Sequence, residues 1–159
     1  MSATPPEDPV LTSAGYLLLK AGHHIGQDFD AALARLGLSG REFLVLSFVG
    51  GAEDLSQQDL SERLGLDPTL VVGLVDALEE RGWMTRTRAP ADRRRNVLRL
   101  TAAGRNAHAR AVRAAGQAED GFLEPLGPGD RATLRALLDA VMQRRLPWLA
   151  DEHGARARG

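Results

Sequence analysis

The tightest restriction on the fold comes from residues 65–68, where a short break separates two segments with helical spacing of apolar residues. Gly65 is suited to end the first segment, which Ser56 can cap at its start. Asp67 can accept backbone N–H groups as an N-cap, and Pro68 suits the first helical position because no amide hydrogen is needed there. The sequence therefore predicts two short helices joined by a tight turn.

The second helix is predicted to run from Asp67 to Arg81, where Gly82 ends it, and to bury one apolar face. The apolar residues that recur at helical spacing are Leu70, Val71, Leu74, Val75 and Leu78. The outward-facing residues are expected to be Thr69, Val72, Gly73 and Asp76. This outward face offers few hydrogen-bond donors.

A β-hairpin is predicted next, because residues 83–88 and 96–101 alternate apolar and polar side chains around a turn-like segment. Residues 86–99 contain six arginines and a single acid, Asp92. Since the whole chain has a net charge of −1, any contact with nucleic acid must be local. The positive charge is concentrated at the hairpin.

The order helix, turn, helix, hairpin between Ser56 and Thr101 is that of a winged helix-turn-helix, whose second helix enters the major groove. Arginines at the hairpin tip suit the narrow minor groove, and a neighbouring carboxylate can orient a guanidinium. The candidate DNA-binding residues are Ser56, Gln57, Thr69, Arg86, Arg88, Asp92, Arg93, Arg94 and Arg95. A hairpin that is merely charged and solvated remains the simplest alternative.

Four further helices are predicted, so the fold class is mainly α with a small β-hairpin wing. The first is interrupted by glycines, and Ser39 and Glu42 form a capping-box pattern at the start of the second. Thr101 can cap the third, and the last follows a proline- and glycine-rich break. The predicted helices span residues 10–36, 39–49 and 101–122, and from about 130 to just before Pro147.

Several classes of protein and site are disfavoured by what the sequence lacks. It contains no cysteine, no apolar run near the ~18 residues of a membrane span, and no phosphate-binding glycine motif. A cytoplasmic protein without cofactor, metal or enzymatic activity is expected. His23 and His24 are adjacent and point to different faces of a helix, so they suit the polar wall of an effector pocket better than a metal site.

Residues around the predicted wing resemble the MarR family of regulators. Asp92-Arg93-Arg94, followed by the segment 98–104 with its LT-x-x-G pattern, is similar to the wing signature of that family. Residues 64–66, 74–79 and 81–86 resemble its recognition-helix region, and residues 36–39 its second-helix entry. The resemblance extends from Val10 to Leu149, although the terminal helices match in pattern only.

The resemblance implies a homodimeric repressor that binds double-stranded DNA at a pseudo-palindromic operator. It further implies that Arg94 enters the minor groove with Asp92 as its orienting partner, and that a small aromatic effector binds between the dimerisation and DNA-binding regions. The implied organisation is an N-terminal arm (1–9), a dimerisation helix (10–36), a winged helix-turn-helix (37–101), C-terminal dimerisation helices (102–149) and a flexible tail (150–159).

The recognition helix departs from the family pattern, which often presents serine, threonine and arginine where this chain has Pro68, Leu70, Val72 and Gly73. Thr69 is the best single candidate for a base or phosphate contact from this helix, while Ser56 and Gln57 could reach phosphate. An acidic N-terminal half and an apolar recognition helix leave open a winged-helix module that binds protein instead of DNA. A small-molecule enzyme that uses a cavity between helices is a third alternative.

Overall fold

The computed structural model describes residues 8–52, 54–89 and 96–146, and this part of the chain forms six helices and two strands. In chain order they are α1 (Ala14–Ala34), α2 (Gly40–Gly51), α3 (Gln57–Leu64), α4 (Pro68–Glu80), β1 (Met84–Arg88), β2 (Asn96–Leu100), α5 (Ala102–Phe122) and α6 (Pro128–Met142). The strands pair antiparallel, with Met84 opposite Leu100 and Arg88 opposite Asn96. The predicted mainly α fold with a two-stranded hairpin is confirmed.

The predicted helix caps are present around the helix-turn-helix. The Ser56 backbone N–H donates to Asp59 Oδ2 at 2.8 Å, and Asp59 N–H donates back to Ser56 Oγ at 3.2 Å. Gly65 ends α3 in the left-handed region with φ of 62°. Asp67 Oδ1 accepts the Thr69 N–H at 2.8 Å and begins α4. These local contacts fix the turn between α3 and α4.

Several helix boundaries differ from the sequence prediction, including the ends of α1 at Ala34 instead of Leu36 and of α6 at Met142 instead of just before Pro147. Helix α1 begins four residues later than expected, at Ala14, because Ser13 Oγ accepts the Tyr16 N–H and caps it. The glycines of α1 do not interrupt it, and the glycines expected to close α2 form its last turn. Helix α6 begins at Pro128, which was expected to break the chain, because proline is tolerated in the first helical turn.

The hydrophobic core lies where α2, α3, α4 and the hairpin meet. Its fully buried side chains include Val45, Leu46, Leu60, Val71, Val75, Leu78 and Leu98. The Leu98 N–H donates to the Leu55 carbonyl at 2.8 Å, which joins β2 to the segment before α3. Burial of one such aliphatic side chain stabilises a fold by about 1.5–3 kcal/mol. This core therefore holds the helix-turn-helix and the hairpin together.

The start of α5 is locked against the end of α4. Thr101 Oγ1 donates to the Gly82 carbonyl at 2.6 Å and accepts the Gly104 N–H at 3.0 Å. A Cβ atom on Gly104 would overlap the carbonyl oxygen of Trp83. The threonine and glycine of the LT-x-x-G pattern thus have a physical reason: they let α5 approach the backbone between α4 and β1 closely.

The terminal helices are much less buried than this core. Helix α6 buries none of its residues, and three successive leucines of α1 are exposed, Leu17, Leu18 and Leu19. Arg131 Nη1 donates to Asp120 Oδ1 at 2.8 Å and connects α6 to α5. Within the described residues, none of the helices is both long and apolar enough to span a membrane.

Candidate DNA interface

The outward face of α4 matches the sequence prediction. Thr69, Val72, Gly73 and Asp76 are all exposed, whereas Val71 and Val75 beside them are fully buried. Val72 retains 43% of its accessible surface. This face carries one hydroxyl, one aliphatic side chain, one bare backbone position and one carboxylate. Only the hydroxyl can donate a hydrogen bond.

The two candidates at the start of α3 are engaged in internal contacts. The Ser56 hydroxyl donates to Asp59 Oδ2 at 2.6 Å as part of the helix cap. Gln57 Oε1 accepts a hydrogen bond from Arg86 Nε at 3.0 Å. The Gln57 Nε2 group is buried and has no hydrogen-bond partner among the described residues. A phosphate contact from either side chain stays a prediction and would require rearrangement.

Arg86, another candidate, lies at the centre of a network rather than at an open surface. Its Nη2 donates to Asp76 Oδ1 at 2.5 Å, and its Nη1 donates to Glu79 Oε2. The Arg86 backbone N–H also donates to Glu79 Oε1 at 2.8 Å. With Gln57, one guanidinium therefore joins α3, α4 and β1. Its side chain is only 24% exposed.

The Arg86 network has two consequences for the outward face of α4. It fixes the hairpin relative to that helix, and it offsets the charge of two carboxylates that would otherwise repel a polyanion. Asp76 and Glu79 are three residues apart, so they lie on neighbouring positions of the helix surface. The sequence indicates Arg86 as a DNA contact, and that contact stays a prediction; the structure places its guanidinium against these two carboxylates.

The rest of the hairpin is only partly described. Arg88 is exposed at the end of β1, directly before the tip. The tip candidates Asp92, Arg93, Arg94 and Arg95 lie outside the described residues. At the other end of the hairpin, Arg99 Nη2 donates to Asp54 Oδ1 at 2.7 Å and anchors β2 beside α3. The described strands thus carry the chain directly into the arginine-rich segment.

A groove of about 530 Å³ runs between α1 and α5, away from the helix-turn-helix. Asp28 and Arg35 line it from α1, and Gln117 and Phe122 line it from α5. The groove thus combines an aromatic ring with charged and amide groups, a common composition for small-molecule sites. His23 and His24 do not line it; both are exposed on α1, with ring centroids 5.5 Å apart. Among the described residues, no cluster suited to a metal ion occurs.

A second histidine environment lies between α2 and α5. His108 Nε2 is 3.1 Å from Ser47 Oγ, and the ring lies 6.1 Å from that of Phe43. Burial lowers the pKa of the His108 imidazole below its usual value. From the sequence alone His108 is expected at the surface, because an isolated histidine in an alanine-rich helix carries no local signal of burial; in the structure its ring is instead partly buried between α2 and α5.

Comparisons with known proteins agree with the geometry. The sequence profile of the MarR family matches residues 36–95, which cover the helix-turn-helix and extend into the wing. A transcriptional regulatory protein assigned to the hcr operon of Thauera aromatica is 34% identical over 94 residues. That match covers 59% of this chain and 57% of the Thauera protein, so this chain spans little more than half the length of that relative.

Solved structures match over more of the chain. The transcriptional repressor CouR bound to a 23-mer DNA duplex is 31% identical, with a TM-score of 0.76 over 87% of this chain and 99% of CouR. CouR from Rhodococcus jostii RHA1 bound to p-coumaroyl-CoA gives a TM-score of 0.73 at 31% identity, over 84% of this chain and 95% of that chain.

The Mycobacterium tuberculosis MarR-family protein Rv2887, solved with salicylic acid, is 26% identical, with a TM-score of 0.69 over 85% of this chain and 98% of Rv2887. These relatives are regulators rather than enzymes. This chain thus shares the overall fold of these solved structures. The chain belongs to the MarR family of DNA-binding transcriptional regulators.

Proposed function

We propose that this protein is a homodimeric, ligand-responsive repressor that binds a pseudo-palindromic operator. The observation that carries the proposal is the exposed outward face of α4, held beside a hairpin whose strands lead into an arginine-rich tip. In this geometry α4 enters the major groove while the wing reaches an adjacent minor groove. A repressor acts by occupying DNA that transcription requires, and its place of action is the cytoplasm.

Each subunit contributes contacts of different kinds. Thr69, near the N-terminal end of α4, approaches base edges, since the first residues of a recognition helix usually do so. Arg94 inserts into the minor groove with Asp92 as its orienting partner, and Arg93 and Arg95 add phosphate contacts. Because Arg86 is committed to Asp76 and Glu79, its role is to position the hairpin rather than to bind phosphate.

A second copy of this chain is the partner that best fits the terminal helices. Both helices expose apolar side chains, and such patches mark interaction surfaces. The residues concerned are Leu17, Leu18 and Leu19 of α1 and Leu137, Leu138 and Val141 of α6. Since a pseudo-palindromic operator has two half-sites, two-fold pairing through these helices would present two recognition helices at once.

The effector site we favour is the groove between α1 and α5. Arg35 offers a cation and Phe122 an aromatic ring, which suits a small aromatic carboxylate or a related phenolic compound. CouR with p-coumaroyl-CoA and Rv2887 with salicylic acid are relatives solved with aromatic ligands. Because α5 is locked to α4 through Thr101 and Gly104, a ligand that moves α5 would change the spacing of the recognition helices.

Selection of genomic fragments on the purified protein, followed by a salt titration of the selected DNA, tests the proposed function. Specific binding should weaken steeply with salt, and Arg94→Ala should cost about 1–3 kcal/mol of binding free energy. Arg110→Ala, an exposed arginine of α5, is the matched control and should bind normally. If no genomic fragment is retained at any salt concentration, the chain would instead be a winged-helix module that binds protein.

A further inference from the structure

We propose that Val72 reads thymine in the operator, through contact with the 5-methyl group in the major groove. This inference rests on the proposed function and deepens it, because it names the residue and the chemistry of base discrimination. The juxtaposition that carries it is an exposed valine beside an exposed glycine at the centre of the outward face of α4.

The first observation is the position of Val72. Its sequence neighbour Val71 and the residue one turn on, Val75, are fully buried, so the core of α4 is complete without it. Val72 nevertheless keeps 43% of its surface exposed, with Thr69 and Asp76 on the same side of the helix. Pro68 and Val72 also line a surface depression of about 430 Å³ against α3. A bulky apolar group is therefore available on the face that approaches DNA.

The second observation is independent and concerns Gly73. Glycine in the interior of a helix costs about 1 kcal/mol relative to alanine. A Cβ atom at Gly73 would meet nothing within 4 Å, and this glycine has no positive φ, so the fold itself does not require it. A glycine that the fold itself does not require can still serve binding, because the missing side chain lets an external partner approach the backbone closely. At this position the partner would be the floor of the major groove.

The side chains on the outward face of α4 determine which chemical group of a base this helix can recognise. Bidentate recognition of guanine or adenine needs arginine, lysine, asparagine or glutamine, and none of these is among the outward residues Thr69, Val72, Gly73 and Asp76. Asp76 can only accept, and its carboxylate is bonded to Arg86. The thymine 5-methyl group is the apolar feature of the major groove, and an aliphatic side chain is its natural partner.

The inference is tested with synthetic duplexes of the genomic fragment selected by the protein. Each thymine of a half-site is replaced singly, and in symmetric pairs, by deoxyuridine, which removes the methyl group and leaves base pairing and charge unchanged. Binding is measured by fluorescence anisotropy. For one thymine we expect a loss of about fourfold per half-site and about fifteenfold for the symmetric pair, which corresponds to one buried methyl group in each half-site.

Variants then assign the contact to Val72. Val72→Ala should bind the unsubstituted duplex more weakly than the native protein, and replacement of the same thymine should cause no further loss. Val112→Ala is the matched control, because Val112 is a similarly exposed valine (47%) that lies on α5, and it should keep the full deoxyuridine penalty. Gly73→Ala should raise the thermal midpoint yet reduce affinity for the same duplex about tenfold or more.

Each outcome decides a different point. If every deoxyuridine duplex binds the native protein with unchanged affinity, the methyl contact is wrong while the proposed function stands. If the penalty persists unchanged in Val72→Ala, the contact belongs to another residue and the inference is overturned. If no DNA is retained by the native protein, both the inference and the proposed function fail.

Discussion

The helix-turn-helix region and the terminal helices differ in how completely the chain buries them. In the first region, α2, α3, α4 and the hairpin share a core whose central side chains have no exposed surface. In the second, α6 buries no residue, and Leu137 remains 62% exposed. The DNA-binding region thus completes its core with contacts within one chain, whereas in the proposed dimer a second copy covers the apolar residues of the terminal helices.

Helix α5 belongs to both regions and connects them. Its first turn is held against Gly82 and Trp83, while its second half lines the groove with α1. Thr101, which caps the start of α5, is thus hydrogen-bonded to Gly82, which follows the end of α4.

The lock between the two regions should be the most sensitive position. Gly104→Ala places a Cβ atom into the Trp83 carbonyl oxygen, so α5 must move away from the hairpin. We expect a loss of about 3 kcal/mol of unfolding free energy in urea denaturation. Gly116→Ala in the same helix has open space around its Cβ and should be neutral or stabilising. Equal losses in both variants would contradict a specific close approach at Gly104.

The Arg86 network should be next in importance. Arg86→Ala leaves Asp76 and Glu79 without this partner and removes the hydrogen bond between β1 and Gln57 of α3. We expect the unfolding free energy to fall by about 2 kcal/mol, together with DNA affinity. The salt dependence of DNA binding should keep its slope, because no phosphate contact is lost. A slope reduced by about one would mean that Arg86 binds phosphate after all.

Substitutions in the terminal helices should weaken association of the chains and leave the folding of the DNA-binding region unchanged. Leu137→Ser removes an exposed leucine from α6, and we expect the dissociation constant of the dimer to rise about tenfold, equivalent to about 1.4 kcal/mol. Sedimentation equilibrium measures this change. Leu44→Ser, at a similarly exposed leucine of α2, is the control and should leave the association unchanged. If both variants behave alike, the proposed dimer surface is wrong.

The smallest effect concerns His108. Because burial lowers its pKa in the folded protein, the unfolded chain binds the proton more readily. The stabilising contribution is therefore complete above the unfolded pKa of about 6.5 and is lost as the pH falls through the lower folded value. Urea midpoints measured between pH 8 and pH 5 should fall less steeply in His108→Gln than in the native protein. Identical pH profiles would contradict this role.

Local signals made much of the fold predictable from the sequence. The side chains of Ser39, Ser56 and Asp67 each accept a backbone N–H group two or three residues later, so these helix starts could be predicted from short segments of sequence. The alternation of apolar and polar residues over 83–88 and 96–101 was enough to identify the hairpin. The start of α1 was misplaced because Ser13 ends the preceding turn, although the apolar pattern continues through it. Features that depend on residues close together in the sequence were thus predicted correctly in most cases.

Features that join distant residues were not recovered. The hydrogen bond between Gln57 and Arg86 connects residues 29 apart, and the contact of Ser47 with His108 connects residues 61 apart. Periodicity cannot reveal which of many polar side chains will meet across such distances. For this reason the sequence indicated neither the contacts of Arg86 with Gln57, Asp76 and Glu79 nor the partly buried position of His108. The predicted DNA contacts of the wing tip stay predictions.

The stoichiometry of the complex with DNA tests the central claim most directly. Native mass spectrometry of the protein with its selected genomic duplex, combined with a hydroxyl-radical footprint, measures both the number of chains and their spacing. We expect two chains per duplex and a two-fold symmetric footprint whose half-sites lie about one helical turn, or roughly 10 base pairs, apart. A single chain bound to one half-site with full affinity would contradict the account.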